Sequence, residues 1–365
     1  MRIGITFNLK SDIHTAVIPA QAGIQRLDPR FRGGDKVYEG PSELPEDIAE
    51  EYDLPETIEA IEKVLSGEGY EVHRLGGDLG IMEQIKHFRI DFVFNIVEGF
   101  QGRNREAHIP ALLELLGVPY SGSDPLGLAV TLDKSLTKRI AMSLGISTPE
   151  FWILNDKADV STVPNQFPFF VKPLWEGSSK GIRLTSRIKN RSELEAETNR
   201  LWRDYREVPI LVERYVPGRE FAVGVIGNDP PQVLGVMEIM FRDPKKDDFC
   251  YSFEVKRNWK ELVQYHLPPA IDAQKTEEFE KSALMLFKVL RLRDIARFDF
   301  RMDPQGKIYF LEVNPLPGLS PESGDIVIMS KKKGLSYRDL ILKIFNSALG
   351  RYPTLSHAKV EGDIK

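Results

Sequence analysis

Cysteine is nearly missing from this chain: Cys250 is the sole one among 365 residues. No internal disulfide can form, and a zinc site built on several thiolates is excluded. No apolar run approaches the length of a bilayer span. The opening MRIGITF lacks the apolar stretch and small-residue cleavage site of a secretory leader, so the cytoplasm is the expected setting. An excess of positive charge is missing too. With 49 Lys and Arg against 54 Asp and Glu, the net charge is −5. That leaves no electrostatic case for nucleic acid or an anionic membrane as partner. The pattern G-x-x-x-x-G-K-[ST] is absent, so this is not a P-loop protein. What is present is an ordinary globular composition, 42% hydrophobic and 28% charged. The length suits two or three domains.

The first third alternates strand and helix. Residues 2–7 form an apolar strand. Ile58, Ile61, Val64 and Leu65 recur at helical spacing between Pro55 and Gly67, the usual start and stop residues. Strands over 70–74 and 91–96 and a helix over 104–116 complete a small parallel α/β unit. Residues 14–36 break the rhythm, with neither strand nor helix period and many Pro, Gly and Arg. They read as an insertion, a mobile surface loop, with a functional lid as the rival reading. Residues 37–53 read as an acidic linker. Further on, a helix is expected over 133–144, strands over 150–154, 168–172 and 182–185, and a charged helix over 190–204. Strands over 210–213, 220–227 and 232–239 follow, then a helix over 273–291, a hairpin over 295–314 and a helix over 336–349. The expected division is 1–124, 125–213 and 214–350, with a frayed tail over 351–365.

The segment ARFDFRMDPQGKIYFLEVNPLPG is the most informative. Two alternating runs flank the turn Asp303-Pro304-Gln305-Gly306. Arg297, Asp299 and Arg301 share one face of the first strand. Ile308, Phe310, Glu312 and Asn314 share one face of the second. A symmetric turn would set Arg297 opposite Glu312 and Asp299 opposite Phe310. Asp299 and Glu312 would then be diagonal neighbours, roughly 7–8 Å apart at the backbone. Two carboxylates and an amide oxygen make a hard ligand set, right for Mg²⁺, whose other ligands are usually phosphate and water. The bland alternative is a solvated strand face with an Arg–Glu pair.

Phosphate binding must come from elsewhere. FFVKPLWEGSSKGI supplies a strand ending at Lys172, then a loop whose glycines let N–H groups approach phosphate. The same loop matches G-x-S-x-G through Gly177, Ser179 and Gly181, and Asp248 and His266 follow in hydrolase order. That reading requires a helix directly after the serine, and Ile182-Arg183-Leu184-Thr185 reads as a strand. Glu213 and Glu220 flank a turn at Pro217-Gly218. Lys134 opens a helix, and Lys256 ends the strand-like YSFEVK. Each of these alone is an ordinary surface residue.

Together these blocks resemble the ATP-grasp superfamily, and most closely the D-alanine–D-alanine ligases. The resemblance runs from about 91 to 349 through GVPYSGSDPLGLAVTLDKSLTK, FFVKPLWEGSSKG, LVERYVPGREF and RFDF…FLEVNPLPGLSPES. It implies an ATP-grasp fold (α/β, α+β in its C-terminal part) behind a small parallel α/β domain. It implies that Lys134, Lys172 and Lys256 contact ATP phosphates. Glu213, Arg214, Tyr215 and Val216 would form the adenine hinge, and Glu220 would bind ribose. Asp299, Glu312 and Asn314 would hold two Mg²⁺ ions, with Mn²⁺ as a substitute. Arg297 and the Gly318 N–H would stabilise the tetrahedral intermediate. Ser178 would orient the substrate loop, and Ser323 would bind the second amino acid's carboxylate. The implied partners are amino acids or small carboxylates, with a homodimer allowed.

Four features depart from the family pattern, all toward the amino-acid side. Asn8-Leu9-Lys10-Ser11-Asp12 stands where a Gly-rich loop normally carries a glutamate for the first ammonium, with Asp12 as a conceivable stand-in. The usual H-G-x-x-G-E-D stretch is replaced by residues 97–106. Arg257 replaces a tyrosine, and Lys180 replaces a small apolar residue. The implied activity is ligation of a carboxylate to an amine, with D-alanine dimerisation leading and other amino acids or carboxylates as the alternative. A nucleotide-binding protein without ligation is the rival from another class. The intact Arg297, Asp299, Glu312 and Asn314 argue against it.

Overall fold

Strand β1 (Arg2–Thr6) runs through the centre of the N-terminal sheet. The computed structural model describes residues 1–12, 45–78, 80–100, 102–206, 208–243 and 252–355. Helix α1 (Pro55–Gly67) carries Pro at its first turn and buries Ile58, Ile61 and Leu65. Strand β2 (Glu71–Arg74), helix α2 (Ile81–Phe88) and strand β3 (Phe92–Asn95) follow. The order is β2-β1-β3, all parallel. Parallel strands need covered faces, and β3 is buried along its length. The reading of a small parallel α/β unit agrees with this sheet.

Helix α3 (His108–Leu116) ends at Gly117, whose φ of 66° is a left-handed stop. Helix α4 (Pro125–Leu132) is capped by Asp124, and helix α5 (Lys134–Ser143) by Asp133, whose side chain accepts from the N–H groups of Ser135 and Leu136. That cap fixes where Lys134 begins its helix.

Strand β4 (Phe151–Leu154), strand β5 (Phe169–Pro173), the short β6 (Arg187–Ile188), helix α6 (Arg191–Asp204) and strand β7 (Ile210–Arg214) come next. They make a four-stranded antiparallel sheet in the order β4-β7-β5-β6. The strand expected over 182–185 does not form. Ile182 closes a turn onto Ser179, and Leu184–Ser186 is a short 3₁₀ turn. The Ser186 hydroxyl accepts from the Arg183 N–H and donates to the buried Glu197, so local bonding replaces a ladder.

Strand β8 (Arg219–Ile226) and strand β9 (Gln232–Phe241) lead to the short helices α7 (Phe253–Arg257) and α8 (Trp259–Leu262). The strand-like YSFEVK is therefore helical where described. Ser252 caps it by accepting from the Val255 N–H, a local signal that the apolar alternation hides. Strand β10 (Val263–His266), helix α9 (Ala273–Val289), strand β11 (Ile295–Met302) and strand β12 (Ile308–Asn314) complete a five-stranded antiparallel sheet, β10-β9-β8-β11-β12. Its β8 and β11 bury Phe221, Phe298 and Phe300 against Phe279 of α9.

Helices α10 (Asp325–Lys332) and α11 (Tyr337–Leu349) return the chain to its beginning. Phe345 packs edge-on to Tyr70 and Phe92, with ring centroids 5.2 and 5.3 Å apart. Arg351 then bridges Asp294 (2.8 Å) and the Tyr120 carbonyl (2.8 Å), so the described start of the expected tail is anchored. The proposed insertion over 14–36 and the end of the tail lie outside the described residues.

The expected linker over 37–53 differs as well. From Pro45 onward it is packed into the molecule: Asp47 is fully buried, and Tyr52 is 6% exposed. Asp53 pairs back to Asn8 and Lys10 through backbone bonds of 2.9 and 3.1 Å.

Candidate active site

The hairpin of β11 and β12 has a register that the symmetric turn does not predict. Arg297 faces Asn314, and Asp299 faces Glu312 directly rather than diagonally. Two single-residue offsets cause this. The turn closes between Asp303 and Lys307, with Gly306 at a φ of 78°. A bulge then sets Leu311 aside, between Phe300/Phe310 and Asp299/Glu312. The first offset lets Phe310 enter the core opposite Phe300. The second keeps both carboxylates on the opposite face.

On that face Arg297 grips Asp299 with both arms, at 2.8 and 2.9 Å, and reaches Asp325 at 3.1 Å. Asn314 donates to Asp299 at 3.0 Å. Burial raises the Asp299 carboxyl, against the pull of Arg297. Burial also opposes ionisation of Glu312, but Lys134 and Lys172 outweigh it and hold its carboxyl down. Two carboxylates, each beside a cation, stand next to an amide that can turn its oxygen inward. This hard donor set fits Mg²⁺. Among the described residues no group of three or more His, Cys, Asp or Glu converges as a metal site. An ion here would draw its further ligands from phosphate and water.

Behind the hairpin runs a buried line of alternating charge. Lys134 lies 3.7 Å and Lys172 3.4 Å from Glu312. Lys172 lies 3.1 Å from Glu213, which also pairs with Lys138. Glu213 is thus committed to two lysines, and its carboxyl is held low: burial would raise it, but Lys138 and Lys172 prevail. Lys138 escapes sequence reasoning. It is fully buried, and burial with Lys172 nearby brings its amine down to about 8 despite Glu213. Its signal was its place one turn after Lys134 on the same helix face.

The segment after Glu213 borders the same cleft. Arg214 lines the cleft and pairs with Glu150 at 2.9 Å. Tyr215 lies beneath the guanidinium of Arg187, 4.4 Å from its ring centre. Val216 is buried at the cleft edge. Glu220 pairs with Arg301 at 3.2 Å, yet burial pushes its carboxyl up to about 7.

The glycine loop bends sharply, with Ser178 and Ser179 at φ values of 50° and 61°. No helix follows Ser179, and His266 is exposed on the edge strand β10, so no serine-hydrolase constellation forms among the described residues. Lys256 donates to the Ser178 carbonyl at 3.3 Å, and burial lowers its amine. The loop is fastened from the N-terminal side. Glu51 accepts from the Gly177 N–H (2.6 Å), Lys180 (2.7 Å) and Arg105 (2.9 Å). Asp47 accepts from the Gly181 N–H at 2.8 Å and pairs with Arg183 at 2.8 Å. Arg257 pairs with Glu46 (2.6 Å) and Glu50 (3.4 Å).

Every residue that the family resemblance assigns to ATP, metal or substrate lines one cleft of about 690 Å³. Gly318 borders it beside Pro317, and Ser323 binds Ser320 at 3.0 Å near its rim. The sequence did not point to Glu51, Asp53, Glu98 or Glu106, which line it too. The side chain of Asp12, the expected stand-in, lies outside the described residues.

Residues 140–346 match the family model described as D-ala D-ala ligase C-terminus. A D-alanine–D-alanine ligase from Aquifex aeolicus is 34% identical over 286 residues, spanning 78% of this chain and 92% of the relative. The chain belongs to the D-alanine–D-alanine ligase family. It is an ATP-dependent ligase of the ATP-grasp superfamily. An uncharacterized protein, y4sG of Sinorhizobium fredii, is 32% identical over 292 residues, covering 78% of this chain and 84% of the relative. The fold is also that of a Bacillus anthracis D-alanine–D-alanine ligase solved with ATP (TM-score 0.65, 21% identity, 96% and 97% coverage). VanG D-Ala:D-Ser ligase from Enterococcus faecalis aligns similarly (TM-score 0.66, 19% identity, 95% and 99%). The family match begins after Lys134, so the carboxylates of the N-terminal side lie outside it. No helix among the described residues is long and apolar enough to cross a membrane.

Proposed function

We propose that this chain joins a carboxylate to an amine through an acyl phosphate, with D-alanine in both roles as the leading assignment. The observation that carries this reading is the convergence of Lys134, Lys172, Lys256 and Arg297 with Asp299 and Glu312 on one cleft. A carboxylate is a poor acyl donor. Its oxygen attacks the γ-phosphate of ATP, ADP leaves, and the acyl phosphate becomes susceptible to an amine. Lys134, Lys172 and Lys256 line the cleft as cations for the phosphate charge. Arg297, its charge enclosed, faces where the oxyanion grows when the amine attacks, with the Gly318 N–H as second donor. Ser178 orients the loop over the donor, and Ser323 binds the acceptor carboxylate. Arg214, Tyr215 and Val216 border adenine, and Glu220 takes the ribose. The Glu213 side chain, held by two lysines, supports this wall rather than contacting base.

Asp299, Glu312 and Asn314 would hold Mg²⁺, or Mn²⁺ in its stead. Such ions, when bound, neutralise the charge that develops on the transferring phosphoryl group. The fastened loop 176–181 excludes water from the acyl phosphate. The natural setting of such a reaction is peptidoglycan precursor synthesis in the cytoplasm.

A second reading keeps ligation and changes the substrate. The departures in residues 97–106, Lys180 and Arg257 favour it, because they reshape the amino-acid side alone. Phosphate release from ATP with Mg²⁺ and a panel of amino acids decides between the two. Release with D-alanine alone, and dipeptide as product, supports the leading assignment. Release with another acceptor removes it and keeps the ligase. Absence of release with any donor, despite ATP binding, would refute ligation. Glu312→Gln is expected to lower release at least about a hundredfold; an unchanged rate would sink the metal site.

A further inference from the structure

The substrate side of the cleft carries more negative charge than its own basic residues can balance. Asp53, Glu98 and Glu106 all line it. Asp53 and Glu98 also line a small adjoining cavity of about 40 Å³, floored by Phe94, Leu316 and Ile344. Glu106 is 7% exposed. Among the described residues none of these three side chains makes an ion pair or hydrogen bond. The nearby cations are already taken. Arg105 and Lys180 pair with Glu51 and Glu176. Lys10 pairs with Glu50 at 3.4 Å, and Lys134 faces Glu312.

Leaving a buried Glu106 and the half-buried Asp53 and Glu98 without partners is costly, and a binding site is where such a cost is retained. A divalent metal is a poor occupant, since no three acidic or histidine side chains among the described residues converge on one point. Charges spread along an organic molecule suit the wall better. An α-amino acid with an uncharged side chain brings a single ammonium, which leaves two carboxylates uncompensated.

We infer that Asp53, Glu98 and Glu106 form a receptor for two positive charges on the acyl donor, so that the donor is a diamino acid. This rests on the ligase reading above and names its substrate class. The α-ammonium and a side-chain ammonium would divide the three carboxylates between them, while the donor carboxylate turns toward Arg297 and the ATP phosphates.

The titration of the free site agrees. Burial pushes Glu106 up to about 7 against Arg105 and Lys134, with Glu51 adding repulsion. Burial pushes Asp53 up to about 7 against Lys10, and burial with Asp53 nearby raises the Tyr337 phenol. Burial, Glu106, Glu51 and Asp53 raise Glu98, and Arg105 opposes them. A bound dication lowers all three, so binding near pH 7 releases protons.

The test uses matched ligands on the full chain, saturated with Mg²⁺ and a non-hydrolysable ATP analogue. Calorimetry compares both enantiomers of ornithine with norvaline and of lysine with norleucine. One ornithine or lysine enantiomer is expected to bind about tenfold or more tightly than its neutral partner. The preference should shrink from pH 8 to pH 6 and collapse in Glu98→Gln and Glu106→Gln. Neutral ligands binding as tightly as the diamino acids, or no binding by either diamino acid, overturns the inference. The wild-type comparison stands even where a variant fails to fold. Amide synthesis is scored separately. Charge preference without amide formation defeats ligation alone, and amide formation without preference defeats this inference alone.

Discussion

At the residue scale, Lys138 and Glu213 carry the sharpest consequence. Glu213 is 3% exposed and shared between Lys138 and Lys172. Removing one member of a buried ion chain strands the others in a medium that solvates charge poorly. Lys138→Met is expected to destabilise the chain by about 3 kcal/mol, read as a lower urea midpoint at constant slope. A midpoint equal to that of the parent would show that the chain contributes nothing. The residues expected from the sequence were those ending strands or flanking turns, where local pattern singles out a side chain. Lys138 lies mid-helix, and only the fold closes Glu213 over it.

At the element scale, the segment from Pro45 to Asp53 changes meaning. From composition it is a solvated acidic linker. In the fold it holds the glycine loop through Glu51 and Asp47, and two sequence departures find their reason there. Lys180, in place of a small apolar residue, answers Glu51. Arg257, in place of a tyrosine, answers Glu46 and Glu50. Burial would raise the Glu51 carboxyl, but Arg105, Lys180 and the Gly177 N–H bring it down to about 2. Its contribution is therefore full above the ordinary value near 4.5 and lost as pH falls toward about 2. Glu51→Gln is expected to cost about 3 kcal/mol at pH 7 and to flatten the acid limb of stability. Thermal unfolding of both chains from pH 3 to 7 measures it, and parallel curves would reject the clasp. The hairpin is the other lesson at this scale. Alternation in the sequence identified both strands and their faces, yet the turn offset and the Leu311 bulge escaped it. Register answers to the burial of Phe310 opposite Phe300, which is a tertiary fact.

At the scale of the whole molecule, buried acids set the alkaline limit. Asp53, Glu106 and Glu220 are each pushed up to about 7 by burial. A carboxyl raised in the fold contributes fully below its unfolded value and loses that contribution as pH rises through the folded one. The ligand-free chain should therefore weaken from about pH 5 to 8, and Glu106→Gln should blunt the fall. Urea midpoints across that range check this; a flat profile in the parent would reject it. The insertion is tested at the same scale. Leu9 bridges to Asp53, so the framework returns beside itself across the segment. Deleting residues 15–35 is expected to change affinity for an ATP analogue less than about threefold, since loop length adds little closure entropy. Loss of folding would show the segment to be structural.

The sequence by itself determined the parallel N-terminal sheet, the hairpin strands and the glycine loop. Those features are written in local alternation, turn residues and ordered motifs, which short-range sterics and burial impose. Only the tertiary structure decided what the scattered acids do. Glu51, Asp53, Glu98 and Glu106 come from two separate stretches and meet because β1 and β3 lie side by side. Whether a carboxylate is solvated, paired with Lys180 or left facing an empty cavity depends on neighbours far along the chain. No local pattern encodes that, because charge is screened in the unfolded chain and becomes costly only when the fold removes water.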